Sequence, residues 1–379
     1  MKKIGILLPK SSTHPYVGYD FFYGLNAFYA FHGGNNPSFF TSNIGFGVDD
    51  DLLFSETEKM FLEKNVDVVV VFAEHPKVDK IFPLASQFRR PILVVNAGAK
   101  YPVKWKAAEY VIFLNLGEML SAKLVAKKGI VQSGVQKGIN ATNFYDGGYG
   151  MADGFYLGQE SAGANILFNF ISKHLEADFD SRSLIDFLEE NQDPILIFST
   201  YTGEILPLFL KAVEGFDQKI TLVCSQATIH EIISNELGSK MALPEIIACS
   251  SLSPEWPSKG FQPINEYFKT EVKREASPFS YLGWDAGEVL QKLSSLANTG
   301  WTDCAQKLEQ TSINGCRGAL RFHLETGHFI SDQYQFKIRG NKYKVIKIEV
   351  AEVLKEWEQM MESRPTPPQV GWFNTYLCS

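Results

Sequence analysis

The chain has 379 residues, of which 45% are hydrophobic and 21% charged. That is ordinary globular usage, and it excludes disordered, collagen-like and coiled-coil chains. Thirty-six Lys and Arg against 43 Asp and Glu leave a net charge of −7, and the basic residues form no stripe, so nucleic acid is excluded as the main partner.

At about 150 residues per domain, two or three units are expected. The longest apolar run, 66–73, is broken by Asp67 and followed by Glu74, far short of the roughly 20 residues that cross a bilayer, so no membrane span is expected. The start, Met1-Lys2-Lys3 before an apolar stretch, imitates a signal peptide, but Pro9 and Lys10 cut it short. It reads as the first strand. A periplasmic location then requires a leader removed ahead of this start, whereas Met1 as the native start implies the cytoplasm. Five cysteines without a CxxC pair point to free thiols.

In chain order, strand-like and helical patterns alternate from the beginning, which is the signature of an α/β protein with parallel sheets. A strand over 4–8 is followed by a polar loop to Tyr16 and a helix over 20–31, with Phe21, Phe22, Phe28 and Phe31 as core. Next come a strand over 38–44, a helix over 51–64 and a strand over 66–72. Residues 83–89 read as a short helix, and 91–95 and 109–114 as strands, completing one lobe. A helix over 117–133 leads to a strand over 139–144, where the alternation restarts. The second lobe has a helix over 151–175, strands over 194–199, 219–224 and 245–249, and helices over 203–213 and 227–235. Beyond Ser251 lie helices over 265–273 and 279–297, a strand over 318–322, a hairpin of 334–338 and 342–348, and a terminal helix from 351.

Several constellations invite chemistry. Gly147, Gly148, Gly150 and Gly154 sit between a strand and a helix, but their spacing departs from the dinucleotide fingerprint, and a tight turn presenting Tyr149 is the simpler reading. His323 and His328 flank a Thr326-Gly327 turn, which reads as a solvated hairpin tip and not as a metal site. Asp49-Asp50-Asp51 reads as a helix cap. No nucleophile elbow and no cysteine with a local base is present, so no enzyme, cofactor or metal is expected. A nucleotide- or sugar-processing enzyme using the Gly148 loop and Glu74 with His75 is the alternative from another class. Loop aromatics, among them Tyr16, Tyr19, Tyr145, Tyr149, Tyr201 and Trp284, offer flat faces with polar tips that suit a small ligand.

Three stretches resemble the type I periplasmic binding proteins, in particular the branched-chain amino acid and amide group that serves ABC importers. They are Ile4-Gly5-Ile6-Leu7-Leu8-Pro9 with the Gly24-Leu25 helix, the segment 143–150, and Ser277 through Trp284-Asp285-Ala286. The segment 315–327 is similar to the family's closing stretch. The resemblance implies two Rossmann-like lobes with parallel sheets, joined by a three-crossing hinge near Asn115, Ser251 and Glu325. On that view the first lobe is 1–115 plus 253–325, the second is 116–252 plus 326–350, and 351–379 is a terminal helix and tail.

The same resemblance implies a small-molecule ligand enclosed between the lobes by hinge closure. It places Ser11, Ser12, Tyr16, Phe72, Ala73, Glu74, His75, Asn96, Ala97 and Gly98 on one side, and Tyr145, Tyr149, Tyr201 and Gln226 on the other, with Tyr149 and Tyr201 as ligand-stacking rings. The implied partner is an ABC transporter permease or, for a cytoplasmic regulator of the same fold, a sensor partner. Two departures shape the expected ligand. Gln226 stands where amino-acid binders carry a carboxylate, and a neutral amide cannot neutralise a buried ammonium; Glu74-His75 replaces a serine that would meet a carboxylate. A neutral or aromatic small molecule is therefore expected.

Overall fold

The computed structural model describes residues 1–12, 14–33, 36–102, 104–144, 150–216, 219–297, 299–340, 342–362 and 376. They form two compact units: Met1–Leu116 and Leu252–Asp332 with Tyr376, and Gly117–Ser251 with residues 333–362.

The first unit opens with β1 (Lys3–Leu8), α1 (Val17–His32), β2 (Ser38–Asn43), α2 (Asp50–Leu62), β3 (Val68–Phe72), α3 (Phe82–Phe88), β4 (Ile92–Asn96) and β5 (Val111–Asn115). The chain passes to the second unit for α4 (Glu118–Ser133), β6 (Lys137–Asn143), α5 (Gly150–Ser161), β7 (Asn165–Ser172), α6 (Arg182–Glu190), β8 (Ile195–Ser199), α7 (Ile205–Val213), β9 (Ile220–Cys224), α8 (Gln226–Ser234), α9 (Leu237–Lys240) and β10 (Glu245–Ser250). It returns for α10 (Phe261–Tyr267), α11 (Pro278–Ser295), α12 (Trp301–Glu309), β11 (Ser312–Gly315), β12 (Gly318–His323) and β13 (His328–Ser331). It ends in the second unit with β14 (Tyr334–Arg339), β15 (Lys342–Lys347) and α13 (Val350–Glu362).

Both sheets share one plan. In the first, β2-β1-β3-β4-β5 run parallel, β13 joins β5 in parallel, and β12 and β11 follow antiparallel. In the second, β7-β6-β8-β9-β10 run parallel and β14 and β15 close the edge antiparallel. Central strands such as β3, all Val and Phe, are buried at every position, as strands covered by helices on both faces must be. Asp49 caps α2, its Oδ1 accepting from the N–H groups of Asp51 and Leu52 at 3.0 Å each. α1 and α11 cross where neither tolerates a side chain: a Cβ on Gly24 would lie 1.9 Å from the Ser280 carbonyl oxygen, and one on Gly283 2.0 Å from that of Phe21.

Several expectations are corrected. The helix expected over 151–175 stops at Ser161; Gly163 takes φ +69° and the alternating Asn165–Ser172 becomes the edge strand β7. The third crossing, expected near Glu325, falls after Asp332, because His328 and Phe329 of β13 pair with Phe113 and Leu114 of β5. Residues 323–328 do turn between strands, but the tip is not solvated at His328, which is buried and stacks on Phe113 at 4.6 Å. Phe31, expected in the core, is 48% exposed at the end of α1, while Trp284, expected in a loop, is fully buried within α11. The four described cysteines are free and buried. No helix among the described residues is long and apolar enough to cross a membrane.

Candidate functional site

In an open α/β sheet the connections leave opposite ways at one point, and the carboxyl ends of the strands there leave a crevice. The order 2-1-3-4-5 puts that point between β1 and β3 in the first unit and between β6 and β8 in the second. Of the residues expected from the sequence, Ser11, Ser12, Ala73, Glu74, His75 and Tyr201 follow these strands, and Asn96, Ala97, Gly98 and Gln226 stand at the ends of the neighbouring β4 and β9.

In the first unit, the loop after β1 folds back through Ser11, whose Oγ accepts from the His14 N–H at 2.9 Å. The loops after β3 and β4 hold each other. The Asn96 amide donates to the Ala73 carbonyl at 3.1 Å, its Oδ1 accepts from the Gly98 N–H at 2.9 Å, and Glu74 Oε1 accepts from the Ala97 N–H at 3.1 Å. Gly98 adopts φ +69°, a conformation glycine supplies without strain. The structure thus joins Ala73, Glu74, Asn96, Ala97 and Gly98, all buried, into one rigid edge.

Other expected residues serve elsewhere. Phe72 is buried between Phe21 and Phe279. Tyr16 is 55% exposed and carries the Arg274 guanidinium 4.1 Å above its ring. His75 turns into an aromatic cluster with Trp105 and Phe113, at ring distances of 5.0 and 5.5 Å.

A cavity of about 470 Å³ opens beside the carboxyl ends of β1 and β2. Ser11 and Ser12 line it with Tyr19, Ser42 and Asn43, and among the described residues Lys10 is its only charged lining residue. Ser42 and Asn43 were not singled out from the sequence. Their signal was available, since they end a parallel strand adjacent to β1, but β2 was read one residue too long, through Ile44.

In the second unit the strand ends are rich in hydroxyls. Thr142 and Thr200 share a hydrogen bond of 2.7 Å between their hydroxyl groups, and Ser225 caps α8 through the Thr228 N–H at 3.2 Å. Gln226 is buried; its Oε1 accepts from the Ser251 N–H at 2.7 Å and so ties α8 to the end of β10. Tyr201 is fully buried. Its ring lies 4.6 Å from Phe209, and its hydroxyl donates to the Thr142 carbonyl at 2.7 Å, which commits it to this unit's core. Tyr145 and Tyr149 lie outside the described residues.

No family model matches the sequence, and no curated protein matches it. Solved structures do. An ABC transporter substrate-binding protein from Sphaerobacter thermophilus is 16% identical over 92% of this chain and 97% of its own, with a TM-score of 0.71. A solute-binding protein of an ABC transporter from Rhodopseudomonas palustris, in complex with 3,4-dihydroxybenzoic acid, is 15% identical over 92% and 96%, with a TM-score of 0.67. A leucine-binding protein from Thermotoga maritima is 14% identical over 93% and 100%, with a TM-score of 0.62. All three are binding proteins. With two sheets whose parallel strands follow the same order, this chain has the fold of the type I periplasmic binding proteins.

Proposed function

We propose that the protein is the solute-binding component of an ABC-type importer, which takes one small polar or aromatic molecule by closure of its two units and does not transform it. One observation carries the reading: the cavity beside β1 and β2 presents hydroxyls, an amide and the ring of Tyr19, with Lys10 and, among the described residues, no acidic residue in its lining. Such a lining suits a hydroxylated or carboxylate-bearing guest. Among the described residues it offers no carboxylate to neutralise an ammonium group, and Gln226 is uncharged as well. The structural neighbours support the same class of role, one binding a dihydroxybenzoic acid and another leucine. On this reading the partner is the importer's permease and the compartment is the periplasm.

Calorimetry and thermal shift against hydroxybenzoates, neutral sugars and leucine test the proposal. A hydroxybenzoate or a neutral polar molecule is expected to bind and remain chemically unchanged. Asn43→Ala and Ser11→Ala are each expected to weaken it by about 1 kcal/mol, the net worth of one hydrogen bond. Leucine binding as tightly as the preferred guest would overturn the ligand class, and turnover of the guest would overturn the role.

A further inference from the structure

The strand-end cavity leaves His75 unexplained. Its side chain is 2% exposed, its Nδ1 lies 2.5 Å from Asp79 Oδ1, and its Nε2 is buried without a hydrogen-bond partner. A carboxylate accepts only, so in the neutral ring it holds the proton on Nδ1 and leaves the lone pair on Nε2. A buried acceptor without a donor is uncommon in folded proteins and calls for an explanation.

His75 also lines a second cavity, of about 540 Å³, wholly within the first unit and sharing no residue with the first. Phe82 and Pro83 form one wall, and Pro102 and Trp105 belong to the loop opposite. Trp105 is held there by its Nε1–H, which donates to the Thr326 carbonyl at 3.0 Å, so this wall does not simply collapse onto the histidine. Ser86, Lys104, Lys106 and Glu109 also line the cavity, and a cavity of this size that joins aromatic faces to polar groups suits a small molecule.

From this geometry we infer that the protein has a second ligand site, at His75, for a small aromatic molecule that carries a hydroxyl donor. The aromatic ring occupies the space between Phe82 and Trp105, and its hydroxyl donates to His75 Nε2. Asp79 is a positioning residue: it lines the same cavity, but it acts on the guest's hydroxyl through His75, by fixing the tautomer. The inference stands independently of the function proposed above.

Phenol and anisole, equal in shape at the ring but differing in the donor, are the probes. Titrated into the full chain labelled with ¹⁵N-histidine, phenol is expected to shift the Nε2 resonance of one histidine, and anisole to bind at least about tenfold more weakly. His75→Phe keeps an aromatic ring in the cluster and should abolish the preference for phenol. Ser11→Ala with Asn43→Ala should leave it intact. Asp79→Asn, at a half-exposed position that tolerates the change, should lower phenol affinity while the melting temperature holds, which secures the test if His75→Phe does not fold. Equal binding of phenol and anisole, an unchanged preference in both His75→Phe and Asp79→Asn, or loss of phenol binding in the Ser11 and Asn43 variant would each overturn the second site; the last would place the phenol in the first cavity.

Discussion

His230 shows how a single side chain ties stability to pH. It sits on α8 with its Nε2 2.8 Å from Ser250 Oγ at the end of β10, and burial pushes its pKa from 6.5 down to about 4. Between those values the unfolded chain binds a proton that the folded chain refuses, so stability falls as the pH drops from about 6.5 to about 4. The residue keeps some exposure, which moderates the effect, and a loss of about 1–3 kcal/mol is expected. Denaturant unfolding of the wild type and of His230→Gln across that range checks it: the two curves should converge toward the acid end. A His230→Gln variant as acid-sensitive as the wild type would show that the sensitivity arises elsewhere. Residues of this kind are hard to read from a sequence. His230, His75 and His328 all look like ordinary polar positions, and only the packing of distant segments shows that each is largely withdrawn from water.

At the level of elements, α4 and α13 are joined by charge in the second unit. The Glu356 carboxylate lies 2.9 Å from Lys123 Nζ and 2.5 Å from Lys127 Nζ, and Lys128 meets Glu352 at 2.7 Å. Burial alone would raise the Glu356 pKa, but the two ammonium groups outweigh it and hold the carboxyl below its usual range. Burial draws the Lys123 pKa down, the opposite of what an isolated pair would show; with two cations on one carboxylate, the anionic Glu356 is the firmer conclusion. Glu356→Ala strands Lys123 without its counter-charge and is expected to cost about 3–5 kcal/mol in denaturant unfolding, whereas breaking the solvent-exposed Lys137–Asp193 pair should leave the unfolding curve nearly where it was. Equal losses would show that burial contributes nothing here. The helices themselves were legible, since apolar spacing marks α1, α2, α4 and α11. The edge strand β7 was not: it follows α5 without a proline, and only Gly163 and the alternation of Asn165–Ser172 separate it from a longer helix.

For the whole molecule, the guest proposed above has a thermodynamic signature. At 100 times its Kd it should raise the unfolding free energy by about 2.7 kcal/mol, and amide exchange should slow at the ends of both β1–β3 and β6–β8. Slowing in the first unit alone would show that the cavity beside β1 and β2 acts by itself. The sequence by itself determined the α/β class and the doubled sheet, because periodicity is local, and the rule of carboxyl-end crevices pointed to the strand ends as the place to look for a site. Tertiary structure alone decided which of the named side chains remain there. Phe72 ends its strand and Tyr201 follows its own just as Ser11 does, yet the cores of their own units claim both, and His75 turns away into an aromatic cluster built from chain 30 and more residues further on. The direction of a side chain depends on what packs against it, and that partner lies far away in the sequence.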